Sequence, residues 1–237
     1  MTTWDDPAVV AEQYRSEANL RARQALWANV EGENAPLVLW RVLTSLAPRV
    51  VLEVGGGQGE LAERMQNELG AEVTFLDQSE RMVELARSRG IHDAHVGDAQ
   101  DLPFPDGRFD TVLAAWMLYH VPDVDCALSE AARVLDRRGR FVAVTGSVRH
   151  TEELRALFGT LMPEFIRQFN AENGESTLRR HFRDVERTDV EVVAVVDDRE
   201  TLETYRRSLS YETRQLPDQI TLPFRVHGRT TIFVASK

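Results

Sequence analysis

A single cysteine, Cys126, occurs in the 237 residues, so no internal disulfide can form, and its setting among helix-forming residues reads as small apolar filler rather than a nucleophile. That cysteine and the six histidines are scattered, with no spacing that would hold zinc. No apolar run approaches the roughly 20 residues that span a bilayer, and the start, Met1-Thr2-Thr3-Trp4-Asp5-Asp6, lacks an apolar signal core. No membrane partner and a cytoplasmic setting are expected. Positive charge is in deficit: 28 Lys and Arg against 38 Asp and Glu leave a formal net charge of −10, which argues against nonspecific nucleic-acid binding. Arginines do gather at 133, 137, 138 and 140 and again at 179, 180, 183 and 187, but acids interleave with both groups, as on solvated helix faces. With 43% hydrophobic and 28% charged residues and no internal repeat, the composition is that of a soluble globular chain with one core domain and a helical extension.

The most informative stretch is Val51–Gly59, V-L-E-V-G-G-G-Q-G. Val50, Val51, Leu52 and Val54 suit a buried parallel strand, and Gly55, Gly57 and Gly59 let the chain turn sharply into a helix with open backbone amides. A dinucleotide fingerprint, G-x-G-x-x-G, wants a third glycine where this chain has Glu60. A loop ending Gln58-Gly59-Glu60 repels a dianion such as a pyrophosphate.

Upstream, from Asp6 to about Ala47, apolar residues recur at three-to-four spacing, broken by Gly32 and Asn34-Ala35-Pro36, and predict an N-terminal helical cap over residues 1–47. Downstream, strand and helix alternate: strands at 72–76, 91–96, 109–114 and 140–145, helices at 61–69, 79–88 and 127–135. Such alternation implies a doubly wound, mostly parallel sheet across a core of residues 48–237. Beyond it the pattern predicts helices at 152–165, 177–182 and 199–209 and strands at 190–196 and 230–235.

Asp77 ends the second strand about 18 residues past Gly59, where an acid in such a fold accepts hydrogen bonds from both hydroxyls of a ribose; a helix cap is the plainer reading, and both can hold. Asp98, in Gly97-Asp98-Ala99, follows the third strand. Acids at three successive strand ends, Glu53, Asp77 and Asp98, are hard to explain by core packing. Asp110 reads as a backbone-orienting residue, and Glu130 with Arg133 as a helix pair at i,i+3 spacing.

The E-x-G-x-G-x-G of 53–59, the strand-end acids, Phe109-Asp110-Thr111-Val112 with the apolar stretch to His120, and Glu130-x-x-Arg133-Val134-Leu135 resemble, in order, the motifs of small-molecule, type 11-like class I S-adenosylmethionine-dependent methyltransferases, over roughly residues 50 to 146. The resemblance implies a Rossmann-like sheet of seven strands with an antiparallel last strand. It implies S-adenosyl-L-methionine as cofactor and S-adenosyl-L-homocysteine as product. The cofactor residues it points to are Glu53, Gly55, Gly57, Gly59, Asp77, Gln78, Met82, Asp98, Ala99, Ala114, Trp116 and Tyr119. In this family the acid at Asp98 accepts from the adenine amino group, the amide of Ala99 meets a ring nitrogen, and Met82 packs on the adenine face.

His120 is the candidate base, and Tyr14, Arg21 and His150 are candidates for the acceptor side. The loop after the fourth strand reads Ala114-Ala115-Trp116-Met117 rather than Asn-Pro-Pro-Tyr or Asp-Pro-Pro-Tyr, which disfavours base-methylating classes and leaves an apolar wall suited to a small organic acceptor. An RNA or protein acceptor in the same fold, a nicotinamide-dependent oxidoreductase and a noncatalytic S-adenosylmethionine-binding protein are the alternatives.

Overall fold

A computed structural model describes residues 22, 25–27, 30–160, 164–209 and 213–237. Its strands are β1 (Val30–Glu31), β2 (Val50–Val54), β3 (Glu72–Asp77), β4 (Ala94–Val96), β5 (Phe109–Ala115), β6 (Leu135–Gly146), β7 (Asp184–Val196) and β8 (Phe224–Ser236). The helices used below are α1 (Ala35–Leu46), α2 (Glu60–Leu69), α3 (Glu80–Ser88), α4 (Val124–Val134), α5 (Glu152–Phe158), α6 (Gly174–Leu178) and α7 (Arg199–Arg207).

All eight strands form one sheet in the order β1-β7-β8-β6-β5-β2-β3-β4. Strands β2 to β6 pair in parallel, and β8 lies antiparallel between β6 and β7. This is the expected Rossmann-like seven-stranded arrangement, with one strand added. The chain steps outward from β2 through β3 to β4, then returns across β2 to β5 and β6. Loops at the carboxyl ends of β2 and β5 therefore diverge and leave a crevice between them.

The added strand, β1, falls in the segment whose apolar spacing predicts helix. It pairs antiparallel with β7, Val30 opposite Ala194, and Glu31 forms an ion pair with Arg225 of β8. Gly32, at φ +101°, turns the chain out of it. Asn34 then starts α1 by accepting the Leu37 amide at 3.0 Å, with Pro36 in the first turn, where its missing N–H costs nothing. Strands β7 and β8 run 13 residues each, longer than their apolar cores. Glu186, Arg187, Thr188 and Asp189 face solvent on β7, while backbone pairing with β8 continues to Asp184 opposite Ser236. Helix α5 stops at Gly159, φ +65°, instead of running to Phe165.

Side-chain alternation divides the core between the two sheet faces. Leu52, Val54, Leu76, Val112 and Phe141 pack with Leu128 and Ala131 of α4. Val51, Val73, Phe75, Leu113 and Val142 pack with Leu39 and Leu43 of α1, Ala62 and Met65 of α2, and Val83 and Ala86 of α3. A third cluster joins Leu154, Phe158, Leu202 and Val226 beside α5 and α7. Among the described residues no helix is long and apolar enough to cross a membrane.

Candidate functional site

At the crevice, a cavity of about 280 Å³ opens among the ends of β2, β3, β4 and β5. Its floor is the glycine loop. The Gly55 amide extends the ladder by donating to the Leu76 carbonyl at 2.7 Å, and the Glu63 amide of α2 donates to the Gly59 carbonyl at 2.9 Å. Gly57 sits at φ +59°, and a Cβ there would meet nothing within 4 Å, so the loop presents bare backbone to the cavity. Gly56 is tight for another reason: a Cβ would lie 2.5 Å from both the Glu53 carboxyl carbon and Phe75. Gly59 lies buried outside the wall, where its lack of a side chain lets α2 approach Ala86 of α3.

The three acids occupy three environments. Glu53 is 1% exposed, its Oε2 has no hydrogen-bond partner, and burial pushes its carboxyl up to about 8, with the Asp77 charge adding to the rise. Asp77 is 7% exposed; its Oδ2 accepts from the Gly57 amide at 3.3 Å and its Oδ1 from the Ser79 amide at 2.9 Å. Burial raises it to about 6, against the lowering effect of those two amides. It thus both ties the glycine loop and caps the turn into α3. Asp98 is exposed at the rim.

Opposite stands the end of β5. Trp116 adopts φ +54°, a left-handed conformation uncommon for a bulky residue, and its amide donates to the Val144 carbonyl at 2.8 Å. Met117 follows, in contact range of Gly55, where a Cβ would lie 2.9 Å from Met117. A single 3-10 turn, Leu118–His120, then brings His120 into the wall, its amide bonded to the Met117 carbonyl at 2.8 Å and its ring 4.6 Å from that of Tyr119.

The wall between Asp98 and α4 is fixed from behind. Glu130 accepts the Leu102 amide at 2.9 Å and pairs with Arg133, whose guanidinium donates to the carbonyls of Leu102 and Phe104 and to Asp106. The helix pair read from i,i+3 spacing is therefore also the anchor of the Asp98–Asp106 loop. Asp110 behaves as read, its Oδ2 accepting from the amides of Arg49 and Val50 at 2.9 and 3.1 Å.

Of the sequence candidates, Gly55, Gly57, Asp77, Gln78, Met82, Asp98, Ala99, Trp116 and His120 line the cavity together. Glu53, Gly59, Ala114 and Tyr119 are not in the lining; Ala114 is 2% exposed within the core. His150 also stands elsewhere, its Nδ1 accepting from the Arg229 amide at 3.1 Å and its ring tilted on Trp27, and burial lowers it to about 4. Tyr14 and Arg21 lie outside the described residues. Gln100, Val121 and Pro122 line the cavity without having been singled out, and Met117, part of the expected apolar wall, lines it too. Only the position of Gln100 two residues past Asp98 could have flagged it; nothing in the local pattern marks Val121 or Pro122. Among the described residues the lining holds Asp77 and Asp98 but no lysine or arginine, so its field favours a cation.

Residues 52–143 match the sequence family described as a methyltransferase domain. The ubiquinone/menaquinone biosynthesis C-methyltransferase UbiE of Methylobacterium nodulans is 39% identical over 105 residues, 41% of this chain and 42% of that protein. UbiE of Brucella abortus is 35% identical over 117 residues, 46% of this chain and 44% of the relative, so the chain spans less than half the length of the curated relatives it matches. In fold, the chain is similar to Haemonchus contortus phosphoethanolamine N-methyltransferase 2, solved with S-adenosyl-L-methionine, at TM-score 0.64 and 19% identity over 100% of this chain and 60% of that one. It is also similar to the [4+2]-cyclase SpnF, at TM-score 0.63 and 19% identity over 99% and 97% of the two chains. At such identities the likeness concerns the fold, which carries more than one chemistry.

Proposed function

We propose that this chain, whose residues 52–143 match a methyltransferase domain, is a class I S-adenosylmethionine-dependent methyltransferase that moves a methyl group from S-adenosyl-L-methionine to a small organic acceptor. The observation that carries the reading is the lining of the cavity among the described residues: bare glycine backbone, two carboxylates and no basic side chain other than His120. A nicotinamide dinucleotide would set its pyrophosphate against Asp77 and Glu60, whereas a sulfonium with an ammonium meets a matching field.

The residues present fit that cofactor. Bare backbone at Gly55 and Gly57 opens the floor of the cavity to an amino-acid end, and the unpartnered Oε2 of Glu53 lies buried behind that loop, in contact range of Gly56. Asp77 retains a lone pair on each oxygen for ribose hydroxyls, Met82 offers an apolar face to a base, and Asp98 with the amide of Ala99 meets the base edge. When bound, the cofactor supplies an electrophilic methyl carbon on sulfur. The protein's part is alignment: Trp116 and Met117 form the wall past the glycine loop, exclude water and hold an apolar acceptor in line. His120, in the same wall, takes the proton when the attacking atom must lose one; a neutral nucleophile needs no base.

A small acceptor is favoured over RNA or protein because four of the eight arginines in the two groups are spent on acids. Arg179 pairs with Glu175, Arg180 with Asp125, Arg187 with Asp189 and Arg133 with Glu130. The chain is read as a 1–47 cap on a 48–237 core, working in the cytoplasm. Calorimetry tests the donor: tight S-adenosylhomocysteine binding with no binding of NAD is expected, and the reverse sinks the reading. A screen of small aromatic and amine acceptors with labelled donor then reads the transfer itself.

A further inference from the structure

Gln100 makes a set of contacts that its place in a loop does not require. Its backbone amide donates to Asp98 Oδ1 at 2.9 Å, and its side-chain Nε2 reaches Asp98 Oδ1 at 3.1 Å and Oδ2 at 3.0 Å. The other end of the same carboxamide, Oε1, accepts the backbone amide of Asp123 at 3.0 Å, and Asp123 is the N-cap of α4. A backbone N–H only donates, so the atom facing Asp123 is oxygen and the atom facing Asp98 is the NH2 group. The carboxamide is thus held at both ends, and both Gln100 and Asp98 line the cavity.

We infer that Gln100 is a positioning residue that sets the cavity's preference for an amino-substituted purine edge, by locking the Asp98 carboxylate in the orientation that accepts from an exocyclic amino group. The inference rests on the reading of the cavity as a site for an adenosyl cofactor.

The physical argument runs through exposure. Asp98 sits at the rim and is exposed, past the end of its strand, so nothing in the sheet fixes its χ angles. A free carboxylate there would sample several rotamers, and each contact with a ligand would first have to order it. Three donors from Gln100 take that ordering out of the binding step. They leave Oδ2 with spare acceptor capacity and direct it at a fixed point. Since Nε2 already satisfies one side of the carboxylate, what remains is an acceptor position, and only a ligand that brings a donor gains from it. A purine without its 6-amino group would leave that position facing an apolar C–H edge. The loop that carries the pair is itself rigid, held by Arg133 through the carbonyls of Leu102 and Phe104. Gln100 therefore transmits the placement of α4 to the point where a base edge is read.

The test is calorimetric titration of S-adenosyl-L-homocysteine and of its 6-desamino (purine riboside) analogue into wild-type protein, Q100A and Q100E. Q100E keeps the shape and the acceptor for the Asp123 amide, but turns a carboxylate toward Asp98 in place of a donor. Wild type is expected to favour the amino form by about tenfold, the worth of one hydrogen bond to a charged group. Both variants are expected to bring the two affinities to within about twofold of each other, chiefly by weakening the amino form. Equal loss of both ligands, or discrimination kept in both variants, overturns the inference. Failure of the wild type to bind S-adenosylhomocysteine at all would instead sink the cofactor reading on which it stands.

Discussion

The backbone amide of Gly57 donates to the Oδ2 of Asp77, 20 residues later in the chain, at 3.3 Å, and this one bond joins the loop after β2 to the turn after β3. Asp77 spends its other oxygen on Ser79, so a single carboxylate organises two sides of the cavity before any ligand arrives. An asparagine at this position can accept on one atom only and turns an NH2 group toward one of the two amides. D77N should therefore weaken S-adenosylhomocysteine by about tenfold or more, measured by calorimetry. Because burial raises Asp77 to about 6, ionised carboxylate is lost as pH falls through that value, and wild-type affinity should fall with it. An acid limb that persists in D77N would assign it to another group.

Glu53 makes a second, opposite prediction about pH. Its folded pKa of about 8 stands above the ordinary carboxylate value, so between the two the folded chain holds a proton that the unfolded chain has released. That contribution to stability is complete below about pH 4.5 and disappears as pH rises through 8. E53Q mimics the protonated form at every pH. Its melting temperature relative to wild type should climb from pH 5 to pH 8, by about 2–4 °C for each kcal/mol involved. A constant difference across that range would place the proton elsewhere.

Neighbouring glycines should respond differently to the same added methyl. At Gly57 an alanine meets open space and carries only the left-handed backbone cost, about 1–2 kcal/mol. At Gly56 the backbone is ordinary, but the new Cβ would fall 2.5 Å from Glu53 and Phe75, both buried. Chemical denaturation should find G56A the less stable of the pair, and the reverse order would mean that the Glu53 carboxyl moves easily.

His120 is assigned to the transfer rather than to donor binding. H120A should leave S-adenosylhomocysteine affinity within about twofold of wild type, while turnover on an acceptor that must lose a proton drops by about 10²-fold. On an acceptor that attacks as a neutral nucleophile, the same variant should retain its rate. Parallel losses on both acceptors would make His120 a wall residue.

The parallel half of the molecule was legible because its strands are apolar runs and its helices follow a regular period. The Val51–Gly59 stretch, the acids Asp77 and Asp98, and the Glu130–Arg133 pair all stand where strand–helix alternation put them. Less of the antiparallel half could be read. Strand β7 carries Glu186, Arg187 and Asp189 on a solvated stretch, so its length is decided by pairing with β8, where their partners are Val234, Phe233 and Thr231, far along the chain. Two-residue β1 is too short to have a period at all. Gln100 escaped notice because its significance lies in Asp123, a contact across 23 residues that no local pattern encodes. His150 was misleading for the converse reason: closeness to the end of β6 in sequence does not give its direction, and it turns toward Trp27 and Arg229.

The strand register has a further consequence. Glu53 lies opposite Phe75, and Asp77 is two residues beyond Phe75; Asp77 lies opposite Val96, and Asp98 is two residues beyond Val96. All three acids share one parity, and each stands one rung across and two residues higher than the last, roughly 4.8 Å sideways and about 6.6 Å up by strand geometry. They form a staircase rising out of the protein, which is why the lowest is sealed, the middle nearly so and the highest open to water. The cavity takes in only the upper two steps, Asp77 and Asp98, and the lowest stays sealed behind its lining. The lower two treads belong to the backbone ladder, and the third follows β4 by two residues, just past the point where the Gly97 amide donates to the Asp77 carbonyl at 3.1 Å.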